Sequence, residues 1–70
     1  MKREPVESSN ISSIGYDAPT QTLEVEFHDR SVYQYDQVPA AIHASLLAAA
    51  SKGSYFASHI KGVFAFNRIC

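Results

Sequence analysis

The sequence has few of the residues on which disulfide and metal chemistry depend. Its 70 residues include one cysteine, Cys70, and three histidines that are widely spaced along the chain, His28, His43 and His59. A single cysteine has no partner for an internal disulfide, and it cannot complete a structural zinc site with scattered histidines. We therefore expect a protein of a reducing compartment, with no metal site and no cofactor.

Acidic residues are absent from the second half of the chain. Residues 1–36 contain all seven acids against three cations, a net charge of −4, whereas residues 37–70 contain three cations and no acid, a net charge of +3. Those three cations are Lys52, Lys61 and Arg68. Three charges form at most a modest basic face, far from the dense stripe of a protein dedicated to duplex DNA.

Long apolar runs are absent as well, and the chain opens with the charged and polar segment MKREPVESSN. The sequence therefore predicts neither a signal peptide nor a membrane anchor. We expect a cytoplasmic protein without a membrane partner. Residues 1–9 are predicted to be a flexible leader and residues 10–70 a single domain, because so short a chain can bury only one core.

What the sequence does contain is a clear alternation of apolar and polar residues. In TLEVEFH, the side chains of Leu23, Val25 and Phe27 face one way, whereas Glu24, Glu26 and His28 face the other and are predicted to meet water. A short segment before it and the turn DAPT predict a first hairpin over residues 11–27, and a third strand is predicted over residues 32–36 after a turn at 28–31. These elements form a three-stranded antiparallel meander with one face in need of cover.

The next segment, AAIHASLLAAASK, supplies that cover because it is rich in strong helix formers. Its apolar stripe comprises Ile42, Leu46 and Ala49. Lys52 and Gly53 are predicted to end this helix, Ser54 to cap a second helix that runs through Lys61, and Gly62 to end that one. The fold class is therefore α+β, a three-stranded meander covered on one face by a two-helix hairpin and followed by a short C-terminal aromatic segment that is either a strand or a packed tail.

The direction of Tyr33 and Tyr35 depends on the length of the turn before them. A two-residue turn would pair Val25 with Gln34 and aim the glutamine at the core, whereas an odd turn length pairs Val25 with a tyrosine. Burying an unpartnered amide costs roughly 1–3 kcal/mol, while a buried tyrosine ring gains from its large apolar area. We predict both rings on the helix-covered face, with their hydroxyls near its edge.

No catalytic pattern is present. The chain lacks the GxSxG nucleophile motif, and SKGS at residues 51–54 has the residue types of a phosphate loop in the wrong order and without its glycines. The histidines have no nearby carboxylate pattern. We predict that the protein is not an enzyme and has no catalytic residues.

Cations and aromatic residues alternate in the last third of the chain, a combination that suits single-stranded RNA because cations neutralise phosphates and rings stack on bases. The candidate ligand contacts are Lys52, Tyr55, Lys61 and Arg68, with Tyr33 and Tyr35 adding hydroxyls at the rim. The structural alternative assigns Phe56, Phe64 and Phe66 to the core. The sequence thus favours a non-catalytic RNA-binding module; the alternative is a protein-interaction or self-association module that uses the Phe64/Phe66 segment or an exposed strand edge.

These motifs, in this order, resemble the KTSC domain, a small module named for its occurrence at the C-terminus of some lysyl-tRNA synthetases and also found as a stand-alone bacterial or phage protein. The resemblance covers Ile11 to Arg68. It is carried by Tyr33-x-Tyr35, Val38-Pro39, Ser51-Lys52-Gly53, Tyr55-Phe56, Ile60, Phe64-Ala65-Phe66 and Arg68. The resemblance implies the fold directly, and RNA binding only through the attachment to synthetases.

The chain departs from the family pattern at two positions. Glycine is frequent where Arg30 stands, so the resemblance implies that Arg30 adopts a left-handed backbone, at a cost of about 1 kcal/mol. Asparagine is frequent where Ala57 stands, so if that amide donates to a ligand in the family, the resemblance implies no such contact at Ala57 in this chain.

Overall fold

A computed structural model describes residues 1–70 and contains five strands and two helices. The strands are β1 (Glu4–Pro5), β2 (Ile11–Asp17), β3 (Thr22–Phe27), β4 (Val32–Tyr35) and β5 (Phe66–Arg68), and the helices are α1 (Ala40–Ala48) and α2 (Lys52–His59). They form one antiparallel sheet in the order β1-β2-β3-β4-β5. The α+β class is confirmed, but the predicted number of strands is wrong, because a short strand is added at each edge of the meander.

The turn between β3 and β4 has the odd length that the sequence favours. The amide of Phe27 donates to the carbonyl of Ser31 at 2.9 Å, and the amide of Arg30 donates to the carbonyl of Phe27 at 2.9 Å. Arg30 has φ 74°, as the resemblance implies. A three-residue turn whose last residue has a left-handed backbone conformation is a common connection between the strands of a hairpin. Val25 therefore pairs with Tyr33, and the predicted direction of the tyrosines is confirmed.

The break between the two helices lies earlier than predicted. Ala49 is already extended, with ψ 139°, and the hydroxyl of Ser51 caps α2 by accepting from the amide of Ser54 at 3.3 Å. The prediction chose Ser54 as the cap, but either serine fits the sequence rule. Lys52 donates to the carbonyl of Ala49 at 3.3 Å, so this cation satisfies a backbone acceptor at the end of α1, as predicted for a cation in the last turn. Gly53 lies inside α2, where an added Cβ would meet Asn10 Nδ2 at 3.0 Å.

The core lies between the sheet and the two helices. It consists of Ile11, Ile14, Leu23, Val25, Tyr35, Val38, Leu46, Phe56 and Ile60. The α1 helix contributes one fully buried side chain, Leu46, while Phe56 and Ile60 enter the core from α2 and the residue after it. The second helix ends at His59, two residues before the predicted end at Lys61, and Gly62, with φ 79°, lies in the turn that follows. Neither helix has the length and apolar character that crossing a bilayer requires.

The first residues of the chain cover part of the other face of the sheet. Segment 1–9, which we expected to be a flexible leader, contains β1, which pairs with β2. Arg3 crosses β2 at Gly15, where an added Cβ would lie 2.7 Å from the carbonyl oxygen of Lys2, and its guanidinium forms an ion pair with Glu24. Glu24 is consequently buried, at 4% exposure, which corrects the prediction that it meets water.

The buried carboxylate of Glu24 is held by hydrogen bonds on both sides. Burial by itself raises the pKa of Glu24, but hydrogen bonds from Gln34 and Arg3 and the charge of Arg3 outweigh that effect, so the pKa lies below its ordinary value. Gln34 donates to the carboxylate at 2.8 Å. The glutamine that a shifted register would have placed in the core is therefore partnered on the opposite face.

The left-handed backbone of Arg30 predicts a stabilising substitution. Arg30→Gly removes the Cβ that crowds this conformation, and we expect the free energy of unfolding to rise by roughly 0.5–1 kcal/mol after allowance for the greater freedom of glycine in the unfolded chain. Arg30→Ala is the matched control, because it removes the same charge but keeps the Cβ. Urea denaturation measures both variants. Equal stabilities of the glycine and alanine variants would contradict the account of the turn.

Candidate functional site

One groove opens beside the core, with a volume of about 780 Å³. Its walls are α2 on one side and the β3–β4 turn with β5 on the other. Five of its lining residues are aromatic: Phe27, Tyr33, Tyr35, Phe56 and Phe66. We call this feature the aromatic groove.

The rings of the aromatic groove form a continuous cluster that runs from the core to solvent. The Tyr35 ring lies 5.4 Å from the Phe56 ring and 5.5 Å from the Phe66 ring, and Phe66 lies 5.7 Å from Tyr33, measured between ring centroids. Exposure rises along this series from 4% for Tyr35 and 6% for Phe56 to 55% for Phe66. Tyr33 is half-buried. The outer rings therefore offer apolar faces to a ligand while the inner rings hold them in place.

The position of β5 follows from its pairing with β4. Phe66 lies opposite Tyr35 and Arg68 lies opposite Tyr33, so these side chains share the helix-covered face of the sheet. The guanidinium carbon of Arg68 lies 5.9 Å from the centre of the Tyr33 ring, within the range of a cation–π contact. Arg68 thus places a positive charge at the edge of the groove.

The wall formed by α2 is open at Gly53 and Ala57, whose side chains are small. Gly53, Ala57 and Lys61 follow one another at four-residue intervals and all line the groove. Lys61, just beyond the end of α2, is exposed and carries a second positive charge at the rim. Ala57 lies on this wall, so the asparagine that is frequent at its position would have placed an amide in the groove.

The β3–β4 turn contributes a carboxylate. The Oδ1 atom of Asp29 accepts hydrogen bonds from the Ser31 amide at 2.9 Å and from the Ser31 hydroxyl at 2.6 Å. The bond from the Ser31 hydroxyl has the largest effect, followed by the bond from the amide and the charge of Arg68, and together they hold the pKa of Asp29 below its ordinary value. Asp29 is therefore ionised at neutral pH.

The six predicted contact residues do not all lie at the groove. Tyr33, Tyr35 and Lys61 line it, and Arg68 rests against Tyr33. Lys52 and Tyr55 are not among the lining residues: Lys52 donates to Ala49, and the Tyr55 ring lies 4.3 Å from the imidazole of His59. The structure therefore brings four of the six together.

Sequence reasoning missed two functional features of the groove. Phe66 was assigned to the core in the structural alternative, yet more than half of its surface is exposed. Asp29 was interpreted only as a turn residue. Asp29 lies three residues before the strand that carries Tyr33, but its approach to Arg68 of β5 is a long-range contact that no local pattern reveals.

The titratable groups of the groove define the chemistry that it offers. No group of three or more His, Cys, Asp or Glu side chains is placed to hold a metal ion. Burial, and then the neighbouring Tyr33, raise the pKa of Tyr35, so its hydroxyl stays protonated at neutral pH. What the geometry offers is stacking faces, two cations and one carboxylate.

Comparisons with known proteins agree on one family. A family model described as the KTSC domain matches residues 7–64. The crystal structure of a KTSC domain protein from Yersinia pestis superposes on 99% of the chain with a TM-score of 0.96 and 43% sequence identity, and 97% of that chain is covered.

Similar sequences occur both in large enzymes and in small proteins. The chain is 43% identical over 63 residues to a lysine–tRNA ligase of Nostoc punctiforme, a match that covers 90% of the chain and 11% of the ligase. It is 45% identical over 56 residues to an uncharacterised protein of Stutzerimonas stutzeri, which covers 80% of the chain and 79% of that protein. The chain thus spans only a small part of the ligases it matches.

The graded exposure of the rings predicts a difference in stability between two phenylalanines. Phe56→Ala removes a buried ring and is expected to lower the free energy of unfolding by about 3–5 kcal/mol. Phe66→Ala removes only ring contacts at the surface, and we expect a loss of about 1 kcal/mol. Urea denaturation of both variants measures the difference. A loss at Phe66 as large as that at Phe56 would mean that Phe66 is a core residue rather than part of a binding surface.

Proposed function

The chain belongs to the KTSC domain family, and from that premise we propose that it is a cytoplasmic, non-catalytic binding module whose ligand is single-stranded RNA, held in the aromatic groove. Tyr33 and Phe66 would stack on bases, and Lys61 and Arg68 would neutralise phosphates. Tyr35 supports the stacking rings from the core.

The observation that carries the proposal is the meeting of exposed rings and rim cations in one groove. Phe66 is 55% exposed and lies against Tyr33, while Lys61 and Arg68 stand at the rim. A base that stacks on an aromatic side chain contributes roughly 1–3 kcal/mol, and this contribution is available only to unpaired bases. The groove is therefore suited to single strands rather than to a duplex.

The size and charge of the groove limit the ligand to a short stretch of RNA. A volume of about 780 Å³ lies within the range of small-ligand sites, roughly 300–1,000 Å³. Two rim cations neutralise few phosphates, so we expect modest affinity with a shallow salt dependence. The occurrence of similar sequences in lysine–tRNA ligases supports RNA as the ligand, because the substrate in the name of those enzymes is an RNA.

A second candidate function is protein interaction, including self-association. It rests on the C-terminal segment, where Val63 is 62% exposed, Phe66 55% and Ile69 50%, and where β5 has a free edge. An edge strand with exposed apolar side chains can accept a strand from another protein or from a second copy of the chain. We rank it second because the same segment leaves Phe66 facing the groove beside two cations.

The RNA proposal predicts distinct effects for three substitutions. In a titration of a labelled single-stranded oligoribonucleotide at low salt, we expect Phe66→Ala to weaken binding at least about fivefold through the loss of stacking. Lys61→Ala and Arg68→Ala should each weaken binding and reduce the slope of log K against log salt by about 0.7, the value for one phosphate contact on a single strand. The matched control is Lys52→Ala, which removes the same charge away from the groove and should change binding little.

Three outcomes would count against the proposal. An absence of RNA binding would contradict the proposal. Binding that is insensitive to salt and to all these substitutions would exclude the groove as the binding site. An effect of Lys52→Ala as large as that of Lys61→Ala would place the RNA beside Lys52 and Tyr55, outside the groove. Sedimentation of the same sample separates the second candidate: a concentration-dependent dimer that Phe66→Ala dissolves would favour self-association.

A further inference from the structure

We propose that Asp29 gives the aromatic groove a preference for bases that carry an exocyclic amino group, so that it binds cytosine in preference to uracil. This inference rests on the proposed RNA-binding function and adds specificity to it. It assigns a role to a charged group that the stacking rings and rim cations leave unexplained.

The carboxylate of Asp29 is held in place and has a free acceptor. Its Oδ1 atom accepts both hydrogen bonds from Ser31, whereas Oδ2 receives no hydrogen bond from another residue. No ion pair within 4.0 Å neutralises it, because the ion pairs of the chain are both formed by Arg3. An ionised carboxylate offers acceptors only. Asp29 therefore lines the groove with a carboxylate that has no ion pair within 4.0 Å and one oxygen that accepts no hydrogen bond from another residue.

This acceptor lies near the surface on which a base would stack. Asp29 lines the same groove as Tyr33 and Phe66, and the charge of Arg68, which rests on the Tyr33 ring, acts on the Asp29 carboxyl. A base stacked on Tyr33 would therefore share the groove with the Asp29 carboxylate.

A carboxylate in an RNA-binding groove is unsuited to the phosphate backbone, because two anions repel each other. It is suited to a base edge that donates hydrogen bonds. Cytosine carries an amino group at C4 and donates to aspartate or glutamate, whereas uracil carries a carbonyl at the same position and presents lone pairs. The two rings have the same size, so stacking is nearly equal and the edge alone discriminates between them.

The test compares two oligoribonucleotides of equal length, oligocytidylate and oligouridylate, titrated into the intact chain under the same salt conditions. We expect oligocytidylate to bind roughly 5- to 10-fold more tightly, at the lower end of the range for direct base contacts because Asp29 is exposed to water. Asp29→Asn keeps the shape and the Ser31 bonds but replaces the pure acceptor with an amide that donates and accepts. This variant should bind both oligomers, with a ratio close to one.

The matched control is Asp36→Asn, which removes an exposed acid outside the groove and should leave the preference for oligocytidylate unchanged. Equal binding of the two oligomers by the unaltered chain, or a preference for oligouridylate, would overturn the role of Asp29 while leaving RNA binding intact. A preference that persists in Asp29→Asn would also overturn it. Failure of both oligomers to bind would overturn the proposed function and this inference together.

Discussion

The structure depends on the three-residue turn between β3 and β4. Because Arg30 takes the left-handed conformation that such a turn needs, Val25 lies opposite Tyr33 and Leu23 opposite Tyr35. A shift of one residue would send every side chain of β4 to the other face and bring Gln34 into the core. The same register sets Gln34 beside Glu24 on the opposite face. One turn thus decides which residues form the core and which can form a site.

The candidate site lies where the core reaches the surface. Aromatic packing continues from Phe56 through Tyr35 to Phe66, and only the last of these rings is largely exposed. The chain returns to the sheet after the helices to form β5, and this return brings Phe66 and Arg68 beside the tyrosines. Stacking surfaces therefore rest on a buried aromatic cluster, which fixes their geometry before any ligand arrives and lowers the cost of ordering them on binding.

Local patterns were sufficient for the meander, the helix hairpin and the direction of the tyrosines, because alternation and burial costs act over a few residues. They were insufficient for β1, since Glu4–Pro5 is too short to show a period and becomes a strand only by pairing with β2. They left the C-terminal aromatic segment open between a strand and a packed tail, and the pairing of Phe66–Arg68 with β4 decides for the strand. The burial of Glu24 depends on Arg3 reaching across Gly15, which is a long-range contact. Residue type identified Lys61 and Arg68 as candidates, while the role proposed for Asp29 required the folded groove.

The central claim is that a single strand binds in the aromatic groove and not beside Lys52 and Tyr55. The most direct measurement follows the aromatic NMR signals of the isotope-labelled chain during a titration with a short single-stranded oligoribonucleotide. The account predicts that the ring signals of Phe66 and Tyr33 shift together and saturate, while that of Tyr55 stays in place. A saturable shift of the Tyr55 ring signal, with the ring signals of Phe66 and Tyr33 unchanged, would contradict the account.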